Sequence, residues 1–225
     1  MKLLAAFLLL LFSQNAYCQK ENFSIKLCPL ALFDEPSFPT IQGGFEFKLS
    51  RKITWYTEAG IKYRKSYYEN ADTNFIASNG FKLKTEIRYY LQNRNKSALD
   101  GLYFAANVFF TRDLHNTEIR YHTQKDTVTK TDAFGAKKNI FGINLICGYQ
   151  LYRSKQIGID VYGGLGIRFR SISTINKEYN KNTDVMERPI DPNIDAIRQQ
   201  IDADAGASIA PNLTLGLRIC YRFRK

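Results

Sequence analysis

Residues Asn212–Lys225 read NLTLGLRICYRFRK, and every second side chain from Leu213 to Phe223 is apolar. Neighbouring side chains on a strand point to opposite faces. Leu213, Leu215, Leu217, Ile219, Tyr221 and Phe223 therefore share one face, and Thr214, Gly216, Arg218, Cys220 and Arg222 share the other. The apolar face must meet a core or lipid, and the face with two arginines must meet water or carboxylates. Two architectures satisfy both demands: a sheet packed on a soluble core, or a closed barrel with lipid outside and a polar lumen.

The same period recurs in Asn22–Phe33, where Pro29 loosens it, and in Thr40–Leu49, Ile53–Arg64, Gly80–Gln92, Leu102–Thr111, Asn139–Tyr152 and Gln156–Arg170. That makes eight strands. After the first connector, short links (Ser50–Lys52, Asn93–Gly101, Arg153–Lys155) alternate with long ones (Lys65–Asn79, Arg112–Lys138, Ser171–Pro211). Short turns on one side and long loops on the other are the layout of an up-and-down transmembrane barrel. Mid-strand glycines (Gly148, Gly158, Gly164, Gly166) suit a sheet that bends to close. Aromatic residues near the strand ends, such as Trp55, Tyr63, Tyr89 and Tyr149, suit two membrane interfaces. The expected fold class is all-β, an eight-stranded antiparallel up-and-down transmembrane β-barrel with a short helix in its last extracellular loop.

Lys2, the apolar run Leu3–Phe12 and the end Ala16-Tyr17-Cys18 have the three-part layout of a secretory signal peptide. Residues 1–18 are read as that signal and residues 19–225 as one outer-membrane domain without a linker. No run after the signal approaches the 18 apolar residues of a membrane helix. Cys28, Cys147 and Cys220 remain after cleavage, an odd number that allows one internal bridge at most. Cys28 and Cys220 lie on the two strands that meet on closure. The alternatives for them are a bridge or two unpaired small core residues.

The segments Pro29–Phe33 (PLALF), Gly43–Phe47 (GGFEF), Glu86–Leu91 (EIRYYL), Gly163–Gly166 and Tyr221–Phe223 (YRF) make the mature chain resemble the small OmpA/OmpX-like outer-membrane β-barrels of Gram-negative bacteria. The resemblance implies outer-membrane location and supplies no activity. The terminal strand also resembles the signal by which the barrel-assembly machinery recognises clients, through Thr214, Gly216, Ile219, Tyr221 and Phe223. It departs from that signal in carrying Arg224 and Lys225 after the aromatic.

The formal net charge is +11. On the expected topology Lys26, Lys48, Lys62, Arg64, Lys82, Lys84, Arg88, Arg168, Arg170, Arg218 and Arg222 face inward with Glu46, Glu58, Glu86 and Asp160. Arg51, Lys52, Arg94, Lys96, Arg153 and Lys155 sit in the short turns, and the outer loops are acidic on balance. Basicity that is internal and periplasmic excludes nucleic acid as a partner. Charges in a narrow lumen need partners. Glu46, Glu58, Glu86, Arg88, Asp160, Arg168, Arg170, Arg218 and Arg222 are therefore expected to form a structural salt-bridge network. The alternative is a water-filled path that prefers anions.

No Cys-x-x-Cys pair or His/Cys cluster is present, and no metal, cofactor or catalytic residue is assigned. Asp113 and His115, near the rim, raise the alternative of a lipid-modifying enzyme, but no serine motif accompanies them. His122 lies in the same loop. Asp191 and Pro192 open a helix expected over Pro192–Ala203, with Ile194, Ile197 and Ile201 on one face, packed over the mouth. Alternation within Thr117–Thr131 extends strands five and six as a protruding hairpin, either a stiff unbound extension or one whose edge augments a partner's sheet. The expected function is non-enzymatic, structural or surface-interacting through the extracellular loops, with outer-membrane lipid and the assembly machinery as partners.

Overall fold

The computed structural model describes residues 23–34, 37–63, 77–91, 99–124, 126, 128–154, 156–187 and 201–223. The signal peptide, Arg64 and most of the expected 192–203 helix lie outside them. Residues 201–203 are helical.

Nine strands run β1 Phe23–Leu27, β2 Thr40–Lys48, β3 Ile53–Lys62, β4 Asn79–Tyr90, β5 Gly101–Thr123, β6 Lys130–Tyr152, β7 Ile157–Ile175, β8 Asp184–Met186 and β9 Gly206–Arg222. All pairings are antiparallel. The hydrogen bonding closes on itself: sequential neighbours pair from β1 to β7, β7 pairs with β9, and β9 returns to β1. Strand β8 stands outside this ring, against the upper end of β5. From Leu27 the register passes through Gly43, Ala59, Leu83, Phe110, Phe141, Phe169 and Ile209, yet on closure Leu27 faces Ile219, ten residues further on. Such a displacement means that the strands run tilted around the ring.

Alternation decides which face each residue takes. Outward side chains form an apolar band through Leu27, Ile61, Leu145, Leu165 and Leu215, 60 to 74 % exposed. Inward side chains are buried although many are charged: Lys26, Glu46, Arg88, Asp160 and Arg218 have no exposure at all. Two apolar clusters accompany them. Tyr90, Tyr103, Ala105, Ile146 and Tyr162 pack inside the ring. Ile119, Tyr121, Phe134, Tyr179 and Ala203, joined by Met186, pack beyond the band, where β5 and β6 project. Gly216 makes room for the first cluster, since a Cβ there would meet the Tyr162 ring at 2.3 Å.

Three expectations are corrected. The first strand stops at Leu27, because Pro29 opens a 3-10 helix over Pro29–Phe33. Strands β5 and β6 run 23 residues each and pair out to Tyr121↔Lys130, so the extension expected over Thr117–Thr131 is present. The last connector shrinks to 176–205, since β7 and β9 both continue past Arg170 and Pro211 and pair up to Ile172↔Gly206. Within that connector lies the ninth strand, β8. It pairs with Tyr121–Thr123 at the outer end of the hairpin, with Tyr121 opposite Met186, so that part of the edge is taken by the chain itself. Cys28 and Cys220 are free and buried. Cys220 is opposite Lys26 in register, and the Cys28 thiol donates to Glu58 Oε2 at 3.1 Å.

Candidate functional site

The inward faces of β1, β2, β3, β4, β7 and β9 converge on one buried network. Lys26 contacts Glu46 Oε2 and Asp160 Oδ2, both at 2.8 Å. Arg88 donates to Glu86 Oε2 at 2.6 Å and to Asp160 Oδ2 at 3.0 Å. Arg218 donates to Glu86 Oε1 at 2.7 Å, to Glu58 Oε2 at 2.9 Å and to Asp160 Oδ2 at 3.4 Å. Lys84 pairs with Glu58 Oε1 at 2.9 Å. Four cations thus meet four carboxylates. The remaining acceptor positions are taken by neutral donors: Tyr90 and Thr54 give to Glu46 Oε1 at 2.9 and 2.6 Å, Tyr103 gives to Asp160 Oδ1 at 2.7 Å, and Tyr56 and Gln42 give to Glu58.

The two guanidinium groups are also layered between rings. Arg218 lies 3.8 Å from the Tyr162 centroid and 4.4 Å from that of Tyr56. Arg88 lies 4.3 Å from the Tyr56 centroid and 4.6 Å from that of Tyr103. Delocalised, weakly hydrated arginine tolerates such a site better than lysine does.

Glu46, Glu58, Glu86, Arg88, Asp160 and Arg218 of the expected network are therefore brought together. Arg222 places its guanidinium 4.2 Å over the Tyr152 ring, whose hydroxyl accepts from Gln150. Arg168 and Arg170 are not in the network. They line a cavity of about 480 Å³ directly above it, whose floor includes Glu86 and Tyr162. Arg170 donates to Ser208 Oγ at 3.1 Å, and among the described residues no carboxylate pairs with either arginine. An amide ladder crosses the same wall: Asn212 donates to Asn144 Oδ1 at 2.8 Å, and Asn144 donates to Asn107 Oδ1 at 2.9 Å. It passes over Gly166, the register partner of both Asn144 and Asn212, where a Cβ would fall 2.4 Å from Asn144 Oδ1.

Residue reasoning missed Gln42, Tyr90, Tyr103 and Gln150, and left Lys26 and Lys84 outside the network proper. All occupy inward positions of the alternation, and that parity was the available signal. Gln150 accepts from Lys26, Arg88 and Tyr90.

At the mouth, beyond the apolar band, the last loop is tied down. His115 Nε2 lies 3.0 Å from Asp202 Oδ2, and His115 Nδ1 lies 3.1 Å from Asp113 Oδ2. Lys62 holds Asp113 Oδ1 at 3.0 Å, and Lys177 donates to the Ala203 carbonyl at 2.7 Å. Burial works against a charged imidazole, but the two flanking carboxylates outweigh it and raise the His115 pKa to about 9. Burial alone would raise Asp113, yet His115 and Lys62 hold its carboxyl below the ordinary value. His122 sits at the hairpin tip opposite Val185, away from this group. Among the described residues no cluster of His, Cys, Asp or Glu is arranged to hold a metal ion.

A closed ring with a charged, filled interior and an apolar exterior defines the class of architecture. A family model described as "Protein of unknown function (DUF3575)" matches residues 4–189, and the chain belongs to that family. No curated protein and no solved structure matches it.

Proposed function

We propose that the chain is an eight-stranded β-barrel of a Gram-negative outer membrane, non-enzymatic, whose central network is a structural plug. Its β5–β6 hairpin would stand on the cell surface as a structural or interaction platform. The observation that carries this reading is the apolar band around the whole outside of a ring whose inside is charged. A water-soluble ring would bury the apolar set and expose the charged one. The signal-like layout of residues 1–18 and the short links on the side of both mature ends support an outer-membrane location with those ends in the periplasm.

A narrow anion-preferring channel accounts for the inward basicity less well. The four cations at the waist are each matched by a carboxylate, and tyrosines fill the remaining space.

The test is fractionation of expressing cells, followed by electrophoresis of the membrane fraction with and without boiling. Outer-membrane recovery and a band that shifts on heating are expected. A protein released with the soluble periplasmic fraction, with no shift, would overturn the reading.

A further inference from the structure

The wall of the ring is incomplete at its seam. β1 contributes only Ser24–Leu27 to β9, opposite Arg222–Ile219. Strand β9 continues for 13 residues past that seam, from Arg218 up to Gly206, and among the described residues it pairs there with β7 alone. Among the described residues no backbone hydrogen bond joins that stretch to 28–34 or 37–38, although the 3-10 helix packs against both β2 and β9. Pro211, a residue tolerated at sheet edges, lies in the unpaired stretch.

In a bilayer, an open strand edge survives only where protein or a polar cavity satisfies it. The cavity above the network fills that role. Its lining includes Thr214, which faces inward, and Leu213, which faces outward and is 68 % exposed. Asn212, Leu213 and Thr214 all belong to the stretch of β9 beyond its pairing with β1, so the cavity borders the seam. Inside, its charge is unbalanced. Asp34 is paired with Lys82, Asp113 with Lys62 and His115, and Glu86 with Arg88 and Arg218. Among the described residues, Arg168 and Arg170, two residues apart on β7, have no such counter-charge.

We propose that this cavity receives the oxyanion headgroup of a membrane amphiphile, phosphate or carboxylate in class, which enters sideways through the β1–β9 seam. The inference rests on the outer-membrane reading. Arg168 and Arg170 present forked donors that match a phosphate or carboxylate. Asn212 and Thr214 line the same cavity from β9. The alkyl chain remains in the seam against Leu213 and Leu215, which are already lipid-facing. The neutral network below closes the floor, so the headgroup binds in a dead end.

The experiment uses the full-length mature protein in non-ionic detergent, first checked for the heat-dependent band shift. Native mass spectrometry then measures retention of dodecyl phosphate, dodecyltrimethylammonium and inorganic phosphate. A single retained dodecyl phosphate is expected. Inorganic phosphate should bind at least about a hundredfold more weakly, because the chain supplies the apolar burial. R168Q/R170Q should weaken dodecyl phosphate by about tenfold or more, because charge-assisted bonds are lost. Equal retention of the cationic amphiphile overturns the proposal, and this comparison needs no variant. Inorganic phosphate binding as tightly as its dodecyl ester overturns lateral entry and leaves a plain anion site. Unchanged binding in a correctly shifting double variant also overturns it. Absence of the shift in the wild type removes the membrane reading itself, a failure distinguishable from the others.

Discussion

Arg218 and Arg168 share strand parity and charge but stand in opposite energetic situations. Arg218 holds Glu58, Glu86 and Asp160, and none of the four is more than 2 % exposed. Removing it leaves buried carboxylates with too few cations, a loss of about 3–5 kcal/mol. R218M should therefore lower the urea midpoint for unfolding from lipid vesicles, read as disappearance of the heat-shifting form. R168M removes no carboxylate's partner and should change the same midpoint by less than about 1 kcal/mol equivalent. Equal losses in the two variants would show that the network does not discriminate between them. Gly216 gives a second residue-scale expectation. Valine there would drive a side chain into the Tyr162 ring that covers Arg218, costing about 1–3 kcal/mol by overpacking in the same assay.

At the scale of elements, the helix end at 201–203 is fastened to β5 by a group that titrates. The His115 pKa is raised from 6.5 to about 9, so its contribution is fully present below pH 6.5 and is lost as pH rises through about 9. Asp113, Asp202, Lys62 and Lys138 surround it. Limited proteolysis within the 176–205 connector should accelerate between pH 7 and pH 10, and H115Q should cut at a rate that no longer responds to His115 titration. A wild-type rate that is flat across this range would rule out the fastening. The inward and outward faces of these elements were readable from alternation, since lipid or a core permits no polar residue on the apolar side. Their ends were less readable. Above Phe110 the outward residue becomes Arg112, so β5 continues where neither face must be apolar and the period loses its contrast. Strand β8 has three residues, too few for any period to show. Pro29 and Pro211 marked the weak seam, and both were readable only as the fraying of a strand.

For the whole molecule, alternation assigns a face but not a height. The ten-residue displacement around the ring moves strand neighbours up or down by amounts that no single segment encodes. That is why Arg168 and Arg170, inward by parity, enter the cavity and not the network. The filled waist has a direct electrical consequence: planar bilayers containing the purified protein should stay silent. Clear anion-selective steps would show that the network is hydrated and that the plug reading is wrong.

The network also bears on the order of events in assembly. Asp160 on β7 faces Lys26 from β1, Arg88 from β4 and Arg218 from β9, so the two ends of the chain must arrive before its charge is matched. Only four register pairs join those ends, and they are separated by nearly the whole chain, which makes their meeting a slow, late step. Until then the unclosed sheet shows orphan charges that hydrocarbon rejects. Closure and neutralisation thus coincide, and in the proposed membrane barrel the sheet would become acceptable to the bilayer only once its two ends have met.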